Sequence, residues 1–122
     1  MNDDDLEFLK TLQLEFIGET TETLLQCEDC LIKYEKQKSP DVLREYLRCL
    51  HSIKGSARAV EFEKIAMTIH KVEGLGGKPD DEHFIELSLK SIDTLRESLE
   101  LIRSGEIDKM DTILDEIMAK IP

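Results

Sequence analysis

No stretch of this chain approaches the roughly 18 consecutive apolar residues that a membrane-spanning helix needs. Its acidic opening, Met1-Asn2-Asp3-Asp4-Asp5, is unlike the basic and then apolar start of a signal peptide. Basic residues are outnumbered 16 to 27, a net charge of −11, so no pervasive positive surface exists to neutralise phosphates. Nucleic acid is thereby excluded as a partner. Cysteine is scarce and odd in number: Cys27, Cys30 and Cys49, with no secretory start, read as reduced thiols of a cytoplasmic protein. Three prolines and six glycines leave long uninterrupted segments. Nothing alternates with period two over a useful length, so no sheet is expected. Repeats, low-complexity linkers, glycine-rich phosphate loops and P-loops are all missing, so the chain has no nucleotide-binding signature of its own.

What is present is helical periodicity. At 122 residues, 40% apolar and 35% charged, the chain is long enough to bury about two-thirds of its unfolded surface as one domain, residues 1–122. A first helix opens at the Asp3–Asp5 cluster, which suits a helix N-terminus. It runs to about Lys36 with Phe8, Leu9, Leu12, Phe16, Leu24, Cys27, Leu31 and Tyr34 inward. Ser39-Pro40-Asp41 breaks it and starts a second, from about Asp41 to Ala59, with Leu43, Tyr46, Leu47, Leu50, Ile53, Ala57 and Val60 inward. A third begins near Phe62, buries Ile65, Ala66, Ile69 and Val72, and ends at Gly74-Leu75-Gly76-Gly77-Lys78-Pro79. The fourth runs from about Asp81 to Ser104, stopped by Gly105. The last carries Ile107, Met110, Leu114, Ile117 and Ile121 on one stripe. Short connections between long amphipathic helices imply antiparallel neighbours: an all-α fold of five helices, an up-down four-helix-bundle core plus a C-terminal helix.

The second helix carries the chemistry. At about 100° per residue, Arg44, Arg48, His51, Lys54, Gly55 and Arg58 share the face opposite its apolar stripe. Asp41 to Val60 holds four basic and two acidic residues, a balance of +2 within a chain of −11, which marks a candidate site for an anionic group. An exposed imidazole is a nucleophile at one nitrogen when the other is protonated and held by an acceptor, ideally a carboxylate on a neighbouring helix. Lys54, one turn along, would place a point charge beside a phosphoryl oxygen. Gly55 costs a helix interior roughly 1 kcal/mol relative to alanine. It removes a side chain that would stand over the histidine, leaving clearance for a partner's active site.

His51-Ser52-Ile53-Lys54-Gly55-Ser56-Ala57 resembles the signature of histidine phosphotransfer (HPt) domains, the phosphoryl carriers of two-component signalling, over nearly the whole chain. It is similar in particular to the N-terminal phosphotransfer domain of chemotaxis kinases of the CheA type. These carry a histidine and a glutamate nineteen and twenty-two residues after the phosphorylated histidine, here His70 and Glu73. The resemblance implies that His51 Nε2 accepts a phosphoryl group from the ATP-binding domain of a histidine kinase. It then passes the group to an aspartate of a response regulator's receiver domain. Glu73 orients His51 through Nδ1, and His70 is a lesser member of the network. The expectation is that ATP and Mg belong to the kinase partner, and that the domain itself binds no cofactor and no metal and is a monomer of the cytoplasm. On this reading it is a substrate and carrier and not an enzyme on its own, either as the front piece of a protein-histidine kinase or as a stand-alone relay.

The family usually has glycine ten residues after the histidine, where this chain has Glu61. An acidic side chain there suits capping of the next helix, and the geometry of the turn is open. Other readings stand beside this one. The arginines divide between partner docking and a solvated face. A non-catalytic helical interaction module would use the same polar face with no label on His51. Cys27-x-x-Cys30 and His70-x-x-Glu73 could suggest a metal-binding bundle, but neither has a second pair at ligand spacing. His83 reads as solvated.

Overall fold

The computed structural model describes all residues, Met1–Pro122. Five helices and their connections make up the chain: α1 (Asp3–Gln37), α2 (Pro40–Ala59), α3 (Glu63–Leu75), α4 (Phe84–Arg103) and α5 (Ile107–Lys120). The start of α1 meets the end of α2, where Gln13 Nε2 donates to the Val60 carbonyl at 2.9 Å and Phe16 packs on Phe62. The end of α1 meets the starts of α2 and α4 in an edge-to-face cluster of Tyr34, Tyr46 and Phe84. Neighbours are therefore antiparallel. Helix α5 packs on α4 and α3, tied to α3 by Lys64 between Asp111 and Asp115. All five helices contribute to one hydrophobic core, with Leu31, Leu50, Ile69, Ile92 and Leu114 fully buried. The all-α bundle expected from the sequence is the fold observed.

Local chemistry sets the helix ends. Asn2, just ahead of the acidic cluster, is the N-cap of α1, its Oδ1 accepting from the Asp5 N–H at 2.9 Å. Asp3, Asp4 and Asp5 fill the first turn, where their charge meets the helix dipole. Pro40 occupies the first turn of α2 and ends α1 without disturbing its successor. At the end of α4, Gly105 adopts φ +80° while Glu106 N–H donates to Leu101 O and Gly105 N–H to Ile102 O. That is a Schellman motif closed by the glycine.

The same motif closes α2 without glycine. Phe62 N–H donates to Ala57 O at 2.8 Å and Glu61 N–H to Arg58 O at 3.0 Å, with Glu61 at φ +65°. The left-handed turn is thus retained, and Glu61 occupies a conformation that strains an L-residue by about 1–2 kcal/mol. Its expected cap on α3 is absent: Phe62 holds the N-cap position and no side chain bonds the first turn. We expect Glu61→Gly to raise stability by about 0.5–1 kcal/mol, after allowing for the extra freedom of glycine in the unfolded chain. Thermal melts decide this, and a lower Tm would show that the Glu61 side chain stabilises the turn.

Two inward assignments need correction, and α4 adds buried serines. Phe8 is 66% exposed, because α1 with 35 residues outruns the 20-residue α2 and its first turns project past the bundle. Ile107 is 45% exposed, since the buried stripe of α5 begins one turn later, at Met110. On α4 the deepest strip includes Ser88, Ser91 and Ser98, whose small side chains allow close helix approach. Ser91 and Ser98 satisfy their hydroxyls on the backbone of their own helix, at 2.7 and 2.6 Å.

Candidate functional site

Helix α2 presents His51 at mid-length with its side chain 74% exposed, one residue beyond the fully buried Leu50. Helix α3 runs back alongside and, in its last turns, offers His70 and Glu73. His51 Nδ1 lies 3.7 Å from Glu73 Oε2, and Lys54 Nζ lies 2.8 Å from Glu73 Oε1. One carboxylate therefore bridges the imidazole and the ammonium. The 3.7 Å gap is an electrostatic approach just beyond hydrogen-bond reach. The Lys54 contact is an ion pair lying off the hydrogen-bond axis, since Oε1 is buried without an aligned donor. With Nδ1 turned to the carboxylate, Nε2 is the nitrogen on the open side of the ring.

Lys54 is more enclosed than its position in the sequence suggests: its side chain is 11% exposed and its charge faces Glu73 rather than open solvent. It also lies 3.4 Å from His70 Nδ1. An ammonium can only donate, so Nδ1 is the acceptor there and the proton of a neutral His70 resides on Nε2. His70 thus joins the network through Lys54, not through His51.

Gly55 is exposed, and a Cβ built there would meet nothing within 4 Å. Packing inside the domain gives no reason for a glycine at that position. Arg44, Arg48 and Arg58 are exposed on the His51 face. Arg44 pairs with Asp41 in its own helix and Arg58 approaches Glu63 at 3.9 Å. His83 is exposed beside Glu82, away from this network. The cysteines pack between α1 and α2: the Cys27 thiol is buried against Cys49, and burial pushes it up to about 12, an unreactive protonated state at neutral pH.

A half-open cleft of about 690 Å³ lies elsewhere on the molecule, between the α3–α4 connection and the end of α5; it includes Leu75, Phe84 and Lys120 but not His51. The histidine stands in the open, unlike a group that binds small substrates in a pocket. An open nucleophile suits chemistry completed by another protein's active site.

The geometry is that of a helical bundle with an exposed histidine on α2 backed by a carboxylate from the next helix. Residues 12–105 match the model of the Hpt domain, and the chain belongs to that family. It is 31% identical over 111 residues to the phosphorelay intermediate protein YPD1 of Saccharomyces cerevisiae, spanning 91% of this chain and 61% of that protein. Its fold matches the phosphorylated P1 domain of CheA3 from R. sphaeroides, solved in complex with CheY6. The TM-score is 0.71 at 20% identity, covering 91% of this chain and 95% of that one. The chain is an Hpt domain, and it spans about three-fifths of the length of that curated yeast relative (61%).

Proposed function

We propose that His51 is the phosphoacceptor and that Nε2 is the reacting atom. The observation that carries this is the exposed imidazole whose Nδ1 faces the Glu73 carboxylate. In the forward step the Nε2 lone pair attacks the γ-phosphorus of ATP held with Mg by a kinase domain. The N–P bond forms as the bond to the leaving ADP oxygen breaks. Glu73 holds the Nδ1 proton and supports the positive charge that grows on the ring. Lys54 braces the carboxylate and brings a cation to the place where phosphoryl oxygens collect. In the second step an aspartate oxygen of a receiver domain attacks phosphorus, the N–P bond breaks and the lone pair returns to Nε2.

The resemblance at His70 and Glu73 favours a CheA-type domain serving a chemotaxis receiver, monomeric, in the cytoplasm. The similarity to a yeast relay protein supports a second reading, a carrier fed by another receiver. Incubation with labelled ATP and a CheA-type catalytic domain, beside incubation with a phosphorylated receiver, separates them. Acid-labile, base-stable label in the first arm supports the CheA-type reading; label in the second arm alone supports the relay. No label in either arm would sink the proposal and leave a non-catalytic docking module.

The clearance reading of Gly55 has its own test. Gly55→Ala is expected to stabilise α2 by about 1 kcal/mol and yet slow transfer from the kinase domain. A variant more stable in melts with an unchanged transfer rate would remove clearance as the reason for the glycine.

A further inference from the structure

Of the three glycines that close α3, only Gly76 sits tightly against another helix. A Cβ at Gly74 would meet nothing within 4 Å, and one at Gly77 would touch only the Gly74 carbonyl at 3.4 Å. At Gly76 it would stand 2.6 Å from Leu47 Cδ2, 3.1 Å from Leu47 Cδ1 and 3.1 Å from the Glu73 carbonyl oxygen. The backbone itself does not require glycine: φ −67° and ψ −11° are ordinary right-handed values. Space for Leu47 is the reason the structure supplies.

Both partners belong to the turns that carry the site. Leu47 precedes His51 by one turn of α2, and Gly76 follows Glu73 by three residues, its N–H donating to the Glu73 carbonyl at 2.9 Å. The Leu47 methyl groups occupy the room left by the missing side chain. Their contact sets the separation of α2 and α3 next to the level where His51 faces Glu73. Tolerance there is small, because the 3.7 Å gap already lies beyond an N–H···O bond of about 3.2 Å.

We infer that Gly76 is a positioning residue for phosphoryl transfer: it seats Leu47 and so holds the Glu73 carboxylate within reach of His51 Nδ1. This rests on the assignment of His51 and Glu73 proposed above. A methyl group at Gly76 unseats the Leu47 side chain and crowds the Glu73 carbonyl at 3.1 Å, and Glu73 moves with the last turn of α3.

The test uses phosphoramidate, a small phosphoryl donor that needs no partner protein. The Nε2–P bond forms as the P–N bond of the reagent breaks and ammonia leaves. Imidazole ¹⁵N spectra report in parallel which nitrogen of His51 carries the proton. Gly76→Ala is expected to slow labelling of His51 on the order of tenfold and to shift the Nδ1 signal, as a small misplacement of a catalytic pair does. Gly74→Ala should change neither. Leu47→Ala alone should also slow labelling, and in the Gly76→Ala background it should restore both readouts, since the new methyl fills part of the space vacated.

Should Gly76→Ala not fold, Leu47→Ala alone decides. A Gly76→Ala protein with a lower Tm but wild-type labelling and Nδ1 signal would reduce Gly76 to packing and overturn the inference. Failure of Leu47→Ala to rescue would overturn it equally. Absence of labelling in the wild type is a different result: it overturns the assignment of His51 itself, and this inference with it.

Discussion

Replacing His51 by glutamine is expected to abolish phosphorylation of the domain by a CheA-type catalytic domain and labelled ATP. The side chain is 74% exposed, so the substitution removes little packing, and melts should shift by less than about 0.5 kcal/mol. Loss of label with the fold intact isolates chemistry from stability. Glutamine keeps the approximate volume and a polar end but has no nitrogen lone pair able to attack phosphorus. The two other histidines, His70 and His83, are the natural controls, and both are exposed. Neither has a carboxylate from another helix at Nδ1: His70 Nδ1 faces Lys54, and His83 meets its exposed neighbour Glu82 through Nε2 at 3.3 Å, so His70→Gln and His83→Gln should retain label. Undiminished label in His51→Gln would move the acceptor elsewhere and undo the site assignment.

Glu73→Ala is expected to have the second largest effect, slowing phosphorylation on the order of a hundredfold, about 2.7 kcal/mol in the barrier. Glu73 alone meets both His51 and Lys54, at 3.7 and 2.8 Å through its two oxygens. Removing it frees the tautomer of His51 and releases Lys54 together. Because Lys54 is 11% exposed, the variant also leaves a largely covered ammonium without its partner, so a loss near 1 kcal/mol in melts is expected beside the rate effect. The rate effect exceeds the stability effect if the carboxylate's work is orientation. Glu73→Gln sharpens the test: it keeps an oxygen acceptor without charge and should lie between the wild type and alanine. A large melting shift with an unchanged phosphorylation rate would contradict this account of Glu73.

Much of the site was legible because it is local. His51, Lys54 and Gly55 lie at i, i+3 and i+4 of a single helix, and that geometry follows from the helix alone. The pairing of His51 with Glu73 came from resemblance, and no spacing rule could have placed a carboxylate oxygen against Nδ1 from another helix. Lys54 shows the limit most clearly. From α2 alone its charge faces outward; in the bundle it turns to Glu73 and is nearly covered. Glu61 shows it differently, since nothing in its side chain announces φ +65°, and only the turn between α2 and α3 imposes it.

The sequence by itself determined five helices, their order, most of their inward stripes and the nucleophile's face, because periodicity, caps and breakers act within a few residues. The exposure of Phe8, the seat of Leu47 on Gly76 and the carboxylate bridge between His51 and Lys54 were decided only in the tertiary structure. Each depends on how closely and at what level two helices meet. That is set by side chains distant in sequence, whose shapes have no local signal.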